Sequence, residues 1–202
     1  MIKISRMVST LMADGTTDKT ALRSEDWHTD DSYMAVPAKA TLLHGMEIPS
    51  HGGRTWFCNM HSVYEALPEA TRKRIDGKRA IHGYDTARAR NRPSARTVQE
   101  IAETPDVEHP LVRTHPETGE ESLYICDTYT VGFEGMTTQE AKPLFDFLVA
   151  HCTQAAFTCR LRWEVGMVAM WDNRAAMHLG PNDYDGYRRE MYRTTTAGTK
   201  PR

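Results

Sequence analysis

The chain has 202 residues, 40% hydrophobic and 26% charged, with a net charge of −2. That length and balance suit one soluble domain with a substantial core. Near-neutral charge gives no electrostatic footprint for nucleic acid, and no apolar run approaches the ~20 residues that span a bilayer.

Taken in order, residues 1–24 carry no consistent period, and 12–20 reads as loop. A weakly structured segment at 1–23 is therefore expected ahead of one domain at 24–202. Residues 27–46 look strand-like. The run Ala40-Thr41-Leu42-Leu43-His44-Gly45-Met46 is apolar and free of charge, and Thr55-Trp56-Phe57-Cys58-Asn59 reads as another strand. Between them Gly52-Gly53 gives a tight turn and room for close backbone approach. Residues 60–74 read as a helix, capped by Asn59 or Ser62 and bent or split at Leu67-Pro68. The basic stretch 72–96, with little apolar period, reads as an exposed excursion, a solvated loop or a lid over a site.

His109-Pro110-Leu111-Val112-Arg113 and Ser122-Leu123-Tyr124-Ile125-Cys126 form a hairpin around the turn at 115–119. A second helix is expected over 138–152. Thr137 or Thr138 with Glu140 marks its start, and Leu144, Phe145, Leu148 and Val149 form its stripe. Residues 157–163 alternate, 167–171 is an apolar strand, and 187–195 is a strand with Arg189, Met191 and Arg193 on one face. The tail at 198–202 is polar and expected to fray. Many short strands, few helices and no βαβ rhythm point to a mainly β fold with flanking helices, a jelly-roll or double-stranded β-helix. Four cysteines (Cys58, Cys126, Cys152, Cys159) form no Cys-x-x-Cys pair. With no signal-peptide core in the first residues, they read as buried free thiols in a reducing cytoplasm.

The chemistry concentrates at His28-Thr29-Asp30. On a strand, residues i and i+2 share a face about 7 Å apart, so an imidazole and a carboxylate can converge on one ion. With one distant histidine they complete a 2-His-1-carboxylate set. Against this stands a chance tripeptide with a local hydrogen bond. Four blocks in order favour the metal: Trp27-His28-Thr29-Asp30, Gly52-Gly53-Arg54-Thr55, Trp171-Asp172-Asn173-Arg174 with His178, and Arg188-Arg189-Glu190-Met191-Tyr192-Arg193. Together, over residues 24–201, they resemble the TauD/TfdA family of Fe(II)- and 2-oxoglutarate-dependent dioxygenases.

The resemblance implies that His28, Asp30 and His178 hold Fe(II), leaving three positions for 2-oxoglutarate and O2, where a structural zinc site would close its shell. It implies that Thr55 and Arg189 meet the far carboxylate of 2-oxoglutarate, Arg189 through its planar fork. Arg193 is matched to a contact with a substrate anion that also touches the cosubstrate. Trp171 is expected to pack under the site, with Asp172 and Asn173 orienting the His178 segment. Asp31 and Tyr33 fall where pocket residues vary. The other histidines (His44, His51, His61, His82, His109, His115, His151) read as scaffold.

Arg54 departs from the family's Gly-Gly-Asp-Thr. Only 26 residues precede Trp27, where family members carry a longer segment. The jelly-roll is therefore expected to be incomplete at its N-terminal edge. The implied activity is hydroxylation of a small organic anion or zwitterion, taurine- or sulfonate-like, yielding succinate and CO2. The partner is a small molecule, neither nucleic acid nor membrane, and a homo-oligomer stays open. Two alternatives stand beside it: a truncated, non-catalytic member that binds only metal and 2-oxoglutarate, and a zinc hydrolase on the same ligands.

Overall fold

The computed structural model describes residues 3–9, 11–18, 26–86 and 96–202. In chain order the strands are β1 (Lys3–Ser9), β2 (Ala40–Glu47), β3 (Thr55–Asn59), β4 (Arg79–His82), β5 (Val107–Pro110) and β6 (Val112–Thr114). They continue with β7 (Glu121–Leu123), β8 (Thr130–Phe133), β9 (Thr158–Leu161), β10 (Val168–Asp172), β11 (Ala176–Leu179) and β12 (Arg189–Thr195). The helices are α1 (Met60–Glu65), α2 (Glu69–Ile75), α3 (Val98–Glu103) and α4 (Thr138–Cys152).

Two antiparallel sheets make the jelly-roll. The larger has the order β1-β12-β2-β10, the smaller β11-β3-β9. Their inner faces share one core, in which Leu43, Trp171 and Met191 of the larger sheet meet Phe57 and Leu161 of the smaller, with Trp163 among them. Met191 is fully buried because β12 alternates, and that alternation puts Arg189 and Arg193 on the same inner face. The register shifts once, with Glu190 opposite Glu47 and Met191 opposite Gly45. The extra residue, Met46, therefore lies on β2, and β12 keeps its period through the arginines. Gly45 is needed there: a Cβ would stand 2.9 Å from Ile48 Cδ1 and 3.2 Å from the Glu164 carbonyl oxygen.

A second core lies under the helices, where Val63 and Leu67 meet Leu144 and Leu148 of α4 and Phe133 of β8. The cap signals are met. Asn59 Oδ1 accepts from the His61 and Ser62 amides at 3.1 Å, and Thr137 with Glu140 forms a complete capping box. The helix expected over 60–74 splits at Leu67-Pro68, with Pro68 at the N-cap of α2. Among the described residues no helix is long and apolar enough to cross a membrane.

Several expectations are corrected. The segment before Ser24 supplies β1, an edge strand paired with β12 from Lys3↔Thr195 to Ser9↔Arg189. Part of the supposed excursion at 72–96 is β4, the middle strand of a three-stranded sheet β5-β4-β8, with Ala80 and His82 buried. Arg88, Arg90 and Arg92 of that stretch lie outside the described residues. The strand expected at 109–113 breaks at Leu111, whose amide leaves to the Lys78 carbonyl at 2.8 Å, so β5 joins β4 while β6 pairs with β7. The tail is tied down: Pro201 is buried and the Arg202 carbonyl accepts from the Thr114 amide at 2.9 Å. Cys159 is exposed; the other three thiols are buried.

Candidate active site

His28 and His178 face each other across an isolated antiparallel bridge, with reciprocal backbone hydrogen bonds of 3.0 and 2.8 Å. Their rings lie 4.1 Å apart, centre to centre. His178 is carried by β11; His28 lies on no continuous strand, and the chain turns at Asp30. His28 and Asp30 do not share a flat strand face: His28 sits at an isolated bridge and the chain turns from Asp30 on, with Asp31 at φ 58°. His28 Nε2 and His178 Nε2 each lie 3.8 Å from an Asp30 carboxylate oxygen. One ligand atom from each residue falls within 4.8 Å of the others, and all three residues are buried.

The protonation pattern suits a cation. His28 Nδ1 donates to the Asp26 carbonyl at 2.7 Å, which leaves the Nε2 lone pair facing Asp30. Burial, then the neighbouring His28, pushes His178 down to about 3, and burial lowers His28, so both rings are neutral at ordinary pH. Burial alone would raise Asp30, but the two rings where they are protonated, and at every pH the Arg193 guanidinium and the Thr41 hydrogen bond, outweigh it and hold the carboxyl well below its usual range. Two neutral imidazoles and one carboxylate, gathered in a buried cluster, are a donor set that Fe(II) accepts.

Asp30 is held from behind. Thr41 Oγ1 donates to its Oδ2 at 2.5 Å and accepts from Asn173 Nδ2 at 2.9 Å, while Asn173 Oδ1 takes the Trp171 indole N–H at 3.0 Å. Trp171 also packs on His178, with ring centres 4.7 Å apart. Asn173 thus steadies Asp30, not the His178 segment. Asp172 points elsewhere, to Arg174 at 2.6 Å and His115 at 3.2 Å, bracing the turn between β10 and β11. Thr41→Val should keep the fold and weaken metal binding about 10- to 100-fold, as for other groups that orient a ligand. Metal titration of the folded variant measures it.

Arg193 makes a contact that the sequence did not show. Its Nη2 pairs with Asp30 Oδ1 at 2.8 Å, which puts it at the metal carboxylate and not beside Arg189. Four residues of strand separate the two guanidinium-bearing positions by roughly 13 Å. Mutual repulsion therefore does not require a second anion.

Arg189 is half-buried against Gly53, where a Cβ would stand 3.5 Å from its Cδ and Nε. Its Nε has no hydrogen-bond partner among the described residues. Burial lowers its pKa, with Tyr184 and then Asp183 opposing. A half-buried guanidinium that rests over the Tyr184 ring, 5.8 Å from its centre, and keeps one buried N–H unpaired fits a carboxylate ligand. Thr55 is buried two residues beyond Gly53 and accepts the Trp163 indole N–H at 2.9 Å, which leaves its own O–H to donate. Gly52, at φ 69°, is pressed on the Asp183 backbone, so the glycine pair closes the wall beside Arg189.

Three tyrosines border the metal cluster. Tyr129 stands edge-on to His28 at 6.5 Å, Tyr33 lies 4.9 Å from Tyr129, and Tyr84 lies 4.8 Å from Tyr33, between ring centres. Sequence reading reached Tyr33 but missed Tyr84, Tyr129 and Thr41. For Thr41 a signal existed: a lone hydroxyl between Ala40 and Leu42 in an apolar strand needs a buried partner. Among the described residues no other histidine joins a cluster of this kind.

The family described as "Taurine catabolism dioxygenase TauD, TfdA family" matches residues 4–195. The alpha-ketoglutarate-dependent 2,4-dichlorophenoxyacetate dioxygenase of Cupriavidus pinatubonensis is 35% identical over 84% of this chain and 59% of its own length. The alpha-ketoglutarate-dependent sulfate ester dioxygenase of Pseudomonas putida is 34% identical over 89% of this chain and 62% of its own. Among solved structures, AAD-2 in complex with Mn(II) and N-oxalylglycine superposes with a TM-score of 0.85 at 31% identity, covering 98% of this chain and 74% of that one. The chain thus spans about three fifths of these two curated relatives. With that likeness and its own His-Asp-His cluster, the chain belongs to the TauD/TfdA family of dioxygenases.

Proposed function

We propose that this chain is an Fe(II)- and 2-oxoglutarate-dependent dioxygenase acting on a small organic anion or zwitterion. The observation that carries the proposal is the pairing of two features: the buried His28-Asp30-His178 cluster and the half-buried Arg189, whose buried Nε has no partner among the described residues. Fe(II), when bound with 2-oxoglutarate and O2, supplies the oxidising chemistry that converts 2-oxoglutarate to succinate and CO2 and hydroxylates a substrate C–H bond. The chain supplies the rest. His28 and His178 offer neutral imidazoles, Asp30 offers a carboxylate kept ionised, and Thr41 fixes its orientation. Arg189 and Thr55 are assigned to the far carboxylate of 2-oxoglutarate. The rings of Tyr129 and Tyr33 stand beside His28, where they would limit water at the bound metal.

Arg193 supports an anionic substrate in a modified way. One of its N–H groups is engaged by Asp30 while the side chain stays 27% exposed, so its remaining donors can meet an anion beside the metal. Asp31, next to the metal ligand, suits a substrate ammonium group, which keeps amino-sulfonates in view. The tyrosine group favours a second reading, an anion that carries an aromatic ring. Both relatives above are named for organic anions, an aryloxyacetate and a sulfate ester.

The test is succinate formation with Fe(II) and 2-oxoglutarate across amino-sulfonates, aryloxyacetates, alkyl sulfates and neutral analogues. Stimulation by anions, reduced at least tenfold in Arg193→Ala, is the expected result. Stimulation by neutral compounds alone, unchanged in that variant, would overturn the substrate assignment. Binding of Fe(II) and 2-oxoglutarate without succinate from any compound would favour the non-catalytic alternative.

A further inference from the structure

Asp31 has a φ of 58°, the only positive φ at a non-glycine residue among those described. It lies between the metal ligand Asp30 and Ser32. A side-chain-bearing residue keeps this backbone shape only where its surroundings over-determine it. The restraint is visible at Ser32, which is completely buried. His109 Nε2 donates to the carbonyl oxygens of Ser32 at 2.9 Å and Met34 at 3.1 Å. Both partners are acceptors only, so that nitrogen carries the proton. His82 Nδ1 lies 3.1 Å from the Ser32 hydroxyl, and Cys126 Sγ lies 3.5 Å from the same oxygen.

The two imidazoles come from outside the loop. His82 ends β4 and His109 lies on β5, strands that pair directly with each other. Each ring is only 1% exposed, and their centres are 5.3 Å apart. Tyr124 packs against both, at 5.5 and 5.6 Å. Neither histidine belongs to the metal cluster. Histidine is a costly way to fill an apolar core, since each buried ring must find a partner for a polar nitrogen. Here one nitrogen of each ring is satisfied within the segment two to four residues after a metal ligand, by Ser32 and Met34, while His82 Nε2 and His109 Nδ1 have no hydrogen-bond partner among the described residues.

We propose that His82 and His109 are positioning residues: by clamping Ser32 they hold Asp31 in its left-handed conformation and aim the Asp30 carboxylate at His28 and His178. The role is distinct from core filling, and it rests on the metal-site reading only for its consequence at the cation. The β4-β5 pair and the metal site then behave as one unit. Loosening the clamp releases the turn, and the carboxylate loses its fixed approach to the two imidazoles.

Two measurements on the folded full chain test this, one of them free of metal. Met34 N–H donates to the Asp31 carbonyl at 2.8 Å, so its amide hydrogen exchange reports the turn directly. Ser32→Ala and His109→Leu should each speed Met34 exchange at least tenfold, with β2 amides unchanged, and weaken Mn(II) affinity about 10- to 100-fold. His109→Gln, which keeps an N–H donor, should stay within about threefold of the wild type in both readouts. Adding Asp31→Gly to Ser32→Ala should recover most of the lost affinity, because glycine adopts positive φ without steric cost.

Core filling alone predicts a lower melting temperature with Met34 exchange and metal affinity unchanged, and no rescue by Asp31→Gly; that result overturns the proposal. If His109→Leu does not fold, Ser32→Ala decides. A wild type that binds no Mn(II) would refute the metal site, while Met34 exchange would still judge the clamp.

Discussion

His178→Ala is expected to abolish tight Fe(II) binding, and with it any succinate formation, while the chain stays folded. The folding side follows from the geometry. The bridge to His28 is made by backbone groups, which alanine keeps. The Asp30 carboxylate retains Thr41 and Arg193, so no buried charge is left unpaired. The binding side follows from coordination. Three protein ligands fix a catalytic metal while leaving positions open, and two do not. The loss should exceed about 100-fold, beyond what removing an orienting group costs. Anaerobic Fe(II) titration of wild type and variant measures it. An unchanged affinity would show that the cation is not held at His28, Asp30 and His178.

Arg189→Ala should cost on the order of 2–5 kcal/mol in 2-oxoglutarate binding, the range for losing one partner of a buried charge pair. That is a rise in Kd of roughly 30- to 5000-fold. Arg189→Lys should fall between, since a point charge replaces a two-pronged donor. The ligand-free protein should respond differently. Arg189 is half-buried with an unpaired Nε, and its remaining contacts are to Tyr184, so removing it takes away a partly desolvated charge without stranding a buried opposite charge. The ligand-free melting temperature should therefore hold or rise in Arg189→Ala. The upward shift that 2-oxoglutarate gives the wild type should vanish. Thermal melts with and without 2-oxoglutarate check both halves, and an equal ligand shift in the two proteins would remove Arg189 from the cosubstrate site.

The residues legible from sequence were those whose chemical type is scarce at their position. His28, Asp30 and His178 announce a ligand set, Gly52 and Gly53 a close approach, and Thr137 with Glu140 a helix start. The strands β1, β4, β8 and β11 were not legible. Each has four to seven residues and gains its backbone partners only from distant neighbours, so no local period marks it. Helix α3 was legible in principle, because Thr97 and Glu100 form the same capping box as at α4, but its body has no buried residue to supply a stripe. The Arg193–Asp30 pair and the tyrosine border were hidden for a deeper reason. Both arise where segments far apart in the chain meet, and spacing along the sequence does not encode which acid an arginine will find.

The bridge between His28 and His178 also bears on how the molecule assembles. The two ligands lie near opposite ends of the chain, so their meeting closes a loop containing most of it. Such closure carries a large entropic cost and belongs to high-contact-order topologies, whose long-range pairings come late and slowly. A cation joining these two side chains would act as a reversible cross-link across that loop, and, binding only once the pairing has formed, would slow unfolding more than it speeds folding. The metal would then serve the chain as a latch.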